Sequence, residues 1–220
     1  MAPELRHVAR DVFAVIRRYP VAALLPAAAL GAASDLLQLT HPGITGEVLL
    51  GLALAVVFEL YVGYAERLVL EAERGAVRAS PARLLRAALP LLPSLLAASI
   101  PAVALPAAAS GLLIVPGLWL LTRWVLYAPV IAREAAGPLA ALRRSSALVS
   151  GRFWSVFAVA TVALIVEHTV IHGAAHAAGP ALGSQALALL GAAIAVAAVS
   201  PFAALTISLV YDRISASPGD

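Results

Sequence analysis

Residues 111–154 read GLLIVPGLWLLTRWVLYAPVIAREAAGPLAALRRSSALVSGRFW. From Gly111 to Ile131 the run carries one charge, Arg123, and is about as long as a single bilayer crossing of roughly 20 residues. Arg133 and Glu134 mark its exit. Gly137 to Arg152 is a short basic segment with Leu139, Leu142 and Val149 among its arginines, and Phe153-Trp154 opens a second apolar run. A span, a basic elbow and another span set the reading of the whole chain as a polytopic membrane protein.

Composition agrees. The 220 residues are 62% hydrophobic and 12% charged, whereas a soluble domain carries about 25% charged residues. So few charges cannot cover a water-facing surface. Burial inside a large complex is the other outlet, and apolar runs of bilayer length argue against it. All the basic residues are arginine, which reads as the codon bias of a GC-rich genome. They lie beside apolar runs, the pattern of membrane topology, so no nucleic-acid partner is expected. There is no cysteine, which excludes disulfides, thiol catalysis and cysteine metal sites.

Outward from the central stretch, residues 3–18 place Leu5, Val8, Val12, Phe13 and Ile16 at helical spacing with arginines on other faces. This predicts an interfacial helix, retained rather than cleaved as a signal peptide. Membrane helices are expected at about 19–38, 47–69, 87–106, 111–132, 153–175 and 184–211. The uncharged stretch between Arg86 and Arg123 is too long for one crossing and must turn near Ala107 to Gly111. Ser80-Pro81 reads as a helix start, and Gly75 as a helix end. The expected fold class is all-α: a polytopic six-helix transmembrane bundle with short cytoplasmic interfacial helices. Residues 1–214 form one integral membrane domain, and 215–220 a disordered tail. Arginines gather on one side of these spans and are missing from the three loops on the other, so both termini are expected in the cytoplasm.

Glu59 and Arg123 are the charges inside apolar runs. A charge at the bilayer centre costs about 2.5–3.5 kcal/mol on insertion scales, which favours pairing or a polar cavity. Counted from the cytoplasmic ends at about 1.5 Å per residue, Glu59 lies roughly 12 Å deep and Arg123 roughly 15 Å deep. The matching depths predict an intramembrane pair, with Glu167 as a further partner for Arg123. Two readings stand, a charged site in a cavity and a structural pair that fixes helix packing. His168, His172 and His176 form a stripe four residues apart beside Glu167. Such a pair at i and i+4 can bind zinc, but neutral histidines bonded to carbonyls or water explain the stripe better. No cofactor is expected. Ser145 and Ser146, beside Arg143-Arg144, read as exposed. Ser184, Ala188 and Ala192 put small residues every fourth position on the last helix, a close-packing face for this chain, a second copy or another membrane protein.

The residues Pro116-Gly117, Arg123-Trp124, Pro129, Glu134, Gly137, Ala141-Leu142-Arg143-Arg144-Ser145, Leu148-Val149 and Gly151-Arg152-Phe153-Trp154 together resemble the signature of a bacterial membrane domain. That domain precedes the catalytic domain in some membrane-bound glycerophosphodiester phosphodiesterases and also occurs in stand-alone proteins. Tyr211-Asp212-Arg213 is similar to the family's closing Tyr-Asp-x-Arg pattern, with the intervening residue absent. The resemblance implies a six-helix module in a bacterial cytoplasmic membrane. It does not imply hydrolase activity, because the phosphodiesterase barrel and its carboxylate and histidine motifs are not in this sequence.

The leading expectation is a non-catalytic membrane module that contacts lipid or organises partners. Arg143, Arg144 and Arg152 form its anionic-headgroup surface, while Leu139, Leu142 and Val149 lie in the interface. The alternatives are a small permease with a site at Glu59, Arg123 and Glu167, and an intramembrane metal-dependent enzyme using Glu167 and the histidine stripe.

Overall fold

The computed structural model describes residues 7–38, 44–170, 173 and 185–216, and within them every regular element is helical. Ten helices follow in order: α1 Val8–Arg18, α2 Pro20–Gln38, α3 Ile44–Glu73, α4 Pro81–Ala88, α5 Leu92–Leu112, α6 Ile114–Trp124, α7 Tyr127–Glu134, α8 Pro138–Ser150, α9 Phe153–Val170 and α10 Gln185–Ala216. Among the described residues four segments are long and apolar enough to cross a membrane: Pro81–Gly111, Ile114–Glu134, Phe153–Val170 and Ala193–Ala216. A fifth is formed if α1 and Pro20–Gly31, bent by 94° at Tyr19, count as one broken span. The bend falls where the amphipathic lead gives way to the apolar run. Pro20 occupies the first turn of α2, where a missing N–H costs nothing.

Large apolar side chains are exposed along the middle of the long helices, among them Leu25, Phe58, Ile100, Val103, Ile165 and Ile194. Such a belt belongs against hydrocarbon rather than water. The buried core sits instead at one end of the bundle. There Val8 and Val12 of α1, Leu84 of α4, Val149 of α8 and Ile214 of α10 close over Leu68 and Leu126. The interfacial helices therefore act as a cap with their apolar faces turned inward. Arg213 of α10 pairs with Asp11 of α1, and Arg18 donates to the carbonyls of Gly75 and Ala76 at 3.1 Å each. The Tyr19 hydroxyl also donates to Ala76. These contacts place α1, the end of α10 and the α3–α4 connection on one face.

Backbone chemistry explains the breaks. Gly75, at φ +70°, ends α3 in the left-handed conformation that glycine adopts without a Cβ penalty. Pro81 opens α4 as expected, although the Ser80 hydroxyl makes no capping bond. A 3-10 turn at Leu89–Leu91, beside Pro90 and Pro93, joins α4 to α5. The α5–α6 turn lies at Leu113, which is extended (φ −153°, ψ 133°), slightly later than expected. The two helices then pack closely across Gly117, where a Cβ would sit 1.7 Å from Ser110 Oγ and 2.7 Å from the Pro106 carbonyl oxygen.

The single helix expected at 111–132 is broken at Val125–Leu126. Pro129 has no N–H for the Val125 carbonyl, and its ring crowds the preceding turn. Ser145 of α8 fills the gap: its hydroxyl donates to the Arg123 carbonyl at 2.8 Å and accepts the Leu126 N–H at 3.2 Å. Ser145 is fully buried, which corrects its reading as exposed. In α9 a π-turn at Phe157–Thr161 meets α6 through the Thr122 and Thr161 hydroxyls, 2.9 Å apart. Helix α10 runs to Ala216, so Ser215 is helical rather than part of a tail; residues 217–220 lie outside the described ones.

Candidate functional site

Three polar places stand out in this apolar bundle. The first is an ionic network at the capped end. Arg133 of α7 donates to both Glu73 oxygens at 3.2 Å, to Ser208 Oγ at 2.9 Å and to Asp212 Oδ2 at 3.0 Å. Its Nε lies 3.6 Å from Glu66 Oε2, longer than a hydrogen bond but within ion-pair range. Ser208 in turn donates to Glu66 at 2.8 Å. One guanidinium thus ties α3, α7 and α10, and Glu66 at 1% exposure is sealed behind it. Around it, Tyr211 donates to Glu134 at 2.9 Å, and Arg144 binds both Glu134 oxygens at 3.1 Å. Arg133, expected with Glu134 at the exit of the apolar run, is held inside this network. Glu59, Glu66 and Glu73 recur every seven residues on α3 and so share one helix face, a spacing that points into the bundle.

The second place is a groove of about 500 Å³ between α5, α6 and α8. Pro101, Leu105, Trp124, Leu139 and Leu142 supply its apolar lining, and Arg123, Arg143 and Ser146 its polar groups. The Arg123 guanidinium lies over the Trp119 ring at 4.8 Å. Neither Arg123 nor Arg143 pairs with a carboxylate among the described residues, in contrast to Arg133 and Arg144.

The third is a cavity of about 210 Å³ inside the bundle, between α3, α5, α6, α7, α9 and α10. Glu66, Glu167, Tyr61, Tyr127 and Ser200 bring polar groups to it, and Phe58 and Trp124 add rings. Glu59 sits just behind, accepting from the Tyr127 hydroxyl at 2.9 and 3.2 Å.

The expected pairs are redistributed. Glu59 and Arg123 do not form an ion pair among the described contacts: Glu59 turns to Tyr127, while Arg123 turns to Trp119 and the groove. Matching depth fixed how far each lay along its helix but not which way it faced. Glu167 joins the cavity with Ser200 beside it, not Arg123. Arg143, Arg144 and Arg152 have different neighbours. Arg143 lines the groove, Arg144 is held by Glu134, and Arg152 donates to the Ile214 carbonyl at 3.4 Å. His168 is exposed on α9, while His172 and His176 lie outside the described residues. Among the described residues no three histidine, aspartate or glutamate side chains converge as a metal site.

Comparison with protein-family models, with curated proteins and with solved structures returns no match. The resemblance of the central stretch to a phosphodiesterase membrane domain rests on the residues that carry it.

Proposed function

We propose that this chain is a non-catalytic membrane module that holds an anionic phospholipid headgroup in the groove between α5, α6 and α8. The observation that carries the reading is the presence of Arg123 and Arg143 in the lining of an apolar groove, neither with an acidic partner among the described residues. A guanidinium offers forked N–H donors that match the oxygens of a phosphodiester. The Ser146 hydroxyl adds a neutral donor. An acyl chain leaving that headgroup lies along Leu105 and Leu139, which are 50% and 66% exposed. That exposure of Leu105 and Leu139 opens the groove toward lipid, which favours a lipid phosphate over a soluble one.

In this reading α2 and α3 join the four apolar segments to give six crossings. The face gathering α1, the α3–α4 connection and the end of α10 is the arginine-rich one, so the positive-inside rule turns it to the cytoplasm. Arg143 then sits at the headgroup level of the inner leaflet, where an anionic lipid is attracted by about 1 kcal/mol per basic residue.

The test is a lipid-preference measurement on the protein in nanodiscs. The Arg123→Gln/Arg143→Gln double variant is expected to lose the preference for phosphatidylglycerol over phosphatidylcholine. Arg144→Gln, whose side chain is already satisfied by Glu134, is expected to keep it. An unchanged preference in the double variant contradicts the proposal.

A further inference from the structure

The cavity at the bundle centre carries a second inference, independent of the lipid groove. The rings of Phe58, Tyr61, Trp124 and Tyr127 and the carboxylates of Glu66 and Glu167 stand in it among aliphatic side chains, with no arginine or histidine among its lining residues. Charge bookkeeping around it does not close. Glu66 is balanced by Arg133 at 3.6 Å. Glu59 and Glu167 have no basic partner among the described residues; their polar neighbours are the hydroxyls of Tyr127 and Ser99 for the first and of Ser200 for the second. Carboxylates in a membrane interior face a partner or a ligand path.

A second observation comes from Tyr61. Its side chain is 6% exposed and lines the cavity. It lies close enough to Glu167 to feel that charge. No described group hydrogen-bonds its hydroxyl, whereas the neighbouring Tyr64 donates to the Ala22 carbonyl at 2.7 Å and Tyr127 donates to Glu59. A phenol on the cavity wall, beside a carboxylate and with no protein partner among the described residues, leaves its hydroxyl open to whatever enters the void.

We infer that this cavity binds a small organic ammonium ion, with Glu167 as counter-ion and the rings of Tyr61, Trp124 and Tyr127 against its carbon substituents. Rings around a cation supply cation–π attraction, which is strongest where water is excluded. A calcium ion takes six to eight oxygen ligands, and among the described residues no three histidine, aspartate or glutamate side chains converge as a metal site. The volume, about 210 Å³, falls below the roughly 300–1,000 Å³ of drug-sized pockets. It suits an ammonium with a few carbons and excludes a polyamine or a peptide.

Calorimetric titration of the purified protein in nanodiscs with tetramethylammonium, and separately with its uncharged near-isostere tert-butanol, tests this. Tetramethylammonium is expected to bind and tert-butanol to give no saturable heat. Glu167→Gln is expected to weaken tetramethylammonium binding by about tenfold or more. Tyr61→Phe, which keeps the ring and removes only the hydroxyl, serves as a second variant if Glu167→Gln fails to fold. It retains tetramethylammonium binding but loses any added affinity of ammonium ions that carry an N–H. Equal binding of both probes makes the cavity merely apolar and overturns the inference. So does saturable heat from sodium alone, or wild-type affinity in a well-folded Glu167→Gln. Lipid preference in the same nanodiscs reports on the groove separately, so failure of one reading leaves the other standing.

Discussion

The Ser145 hydroxyl donates to the Arg123 carbonyl at 2.8 Å from a different helix. The same oxygen accepts the Leu126 N–H at 3.2 Å, so one side chain of α8 supplies the donor and the acceptor that the α6–α7 break leaves without helical partners. In hydrocarbon an unsatisfied backbone group is costly, and broken helices persist only where the protein covers the freed groups. Ser145 therefore fixes where α8 docks, and α8 brings Arg143 to the groove that holds Arg123.

Ser145→Ala removes both bonds and leaves the Leu126 N–H buried without a partner. The expected loss is about 1–3 kcal/mol, measured as a lowered midpoint in detergent or thermal unfolding. Ser146→Ala, one position along and not involved in the break, is expected to leave that midpoint near wild type. Equal effects of the two substitutions contradict the docking role.

Among the described residues Arg133 is the cation in ion-pair contact with Glu66, Glu73 and Asp212 together. Arg133→Gln leaves the buried Glu66 carboxylate uncompensated, an expected cost of about 3–5 kcal/mol. Arg144→Gln breaks only a half-exposed pair with Glu134 and is expected to cost about 0.2–1 kcal/mol. Adding Glu66→Gln to Arg133→Gln is expected to recover part of the loss, and a double-mutant cycle measures how much. Strictly additive losses contradict a shared network.

Gly117→Ala places a methyl where Ser110 Oγ and the Pro106 carbonyl already stand. The expected destabilisation is about 1–3 kcal/mol. Combining it with Ser110→Gly relieves the side-chain clash but not the one with the carbonyl, so recovery is partial. Full stability of Gly117→Ala contradicts the close α5–α6 contact at Gly117.

Topology is open to direct labelling, because the chain has no cysteine of its own. With both termini in the cytoplasm, Ser215→Cys reacts with an impermeant maleimide only in inverted vesicles or broken cells. Gly111→Cys, at the exposed α5–α6 turn, reacts in intact spheroplasts. Labelling of both from the same side contradicts the proposed orientation.

Much of the fold was legible in the sequence because its signals are one-dimensional. The Tyr19 bend follows from an amphipathic run meeting an apolar one, and the α5–α6 turn from an uncharged stretch too long for a single crossing. The break at Val125 was less visible, since Pro129 sits inside an otherwise unbroken apolar run and its consequence depends on Ser145 arriving from another helix. The candidate sites suffered from a different limit. Rise per residue placed Glu59 and Arg123 at similar depth, but pairing depends on azimuth, and the two side chains point to different neighbours. The seven-residue recurrence of Glu59, Glu66 and Glu73 did hold azimuthal information, and it points to the face of α3 that meets Tyr127 and Arg133. Arg123 and Arg143, twenty positions apart, meet only because the elbow at Gly137-Pro138 folds α8 back beneath α6.

Native mass spectrometry of the protein released from nanodiscs of mixed phosphatidylglycerol and phosphatidylcholine tests the lipid groove most directly. The wild-type chain is expected to retain phosphatidylglycerol in preference to phosphatidylcholine, and the Arg123→Gln/Arg143→Gln variant to show no preference while Arg144→Gln still does. Retention of phosphatidylglycerol by the double variant at the wild-type level, or no preference in the wild-type chain, would contradict the account.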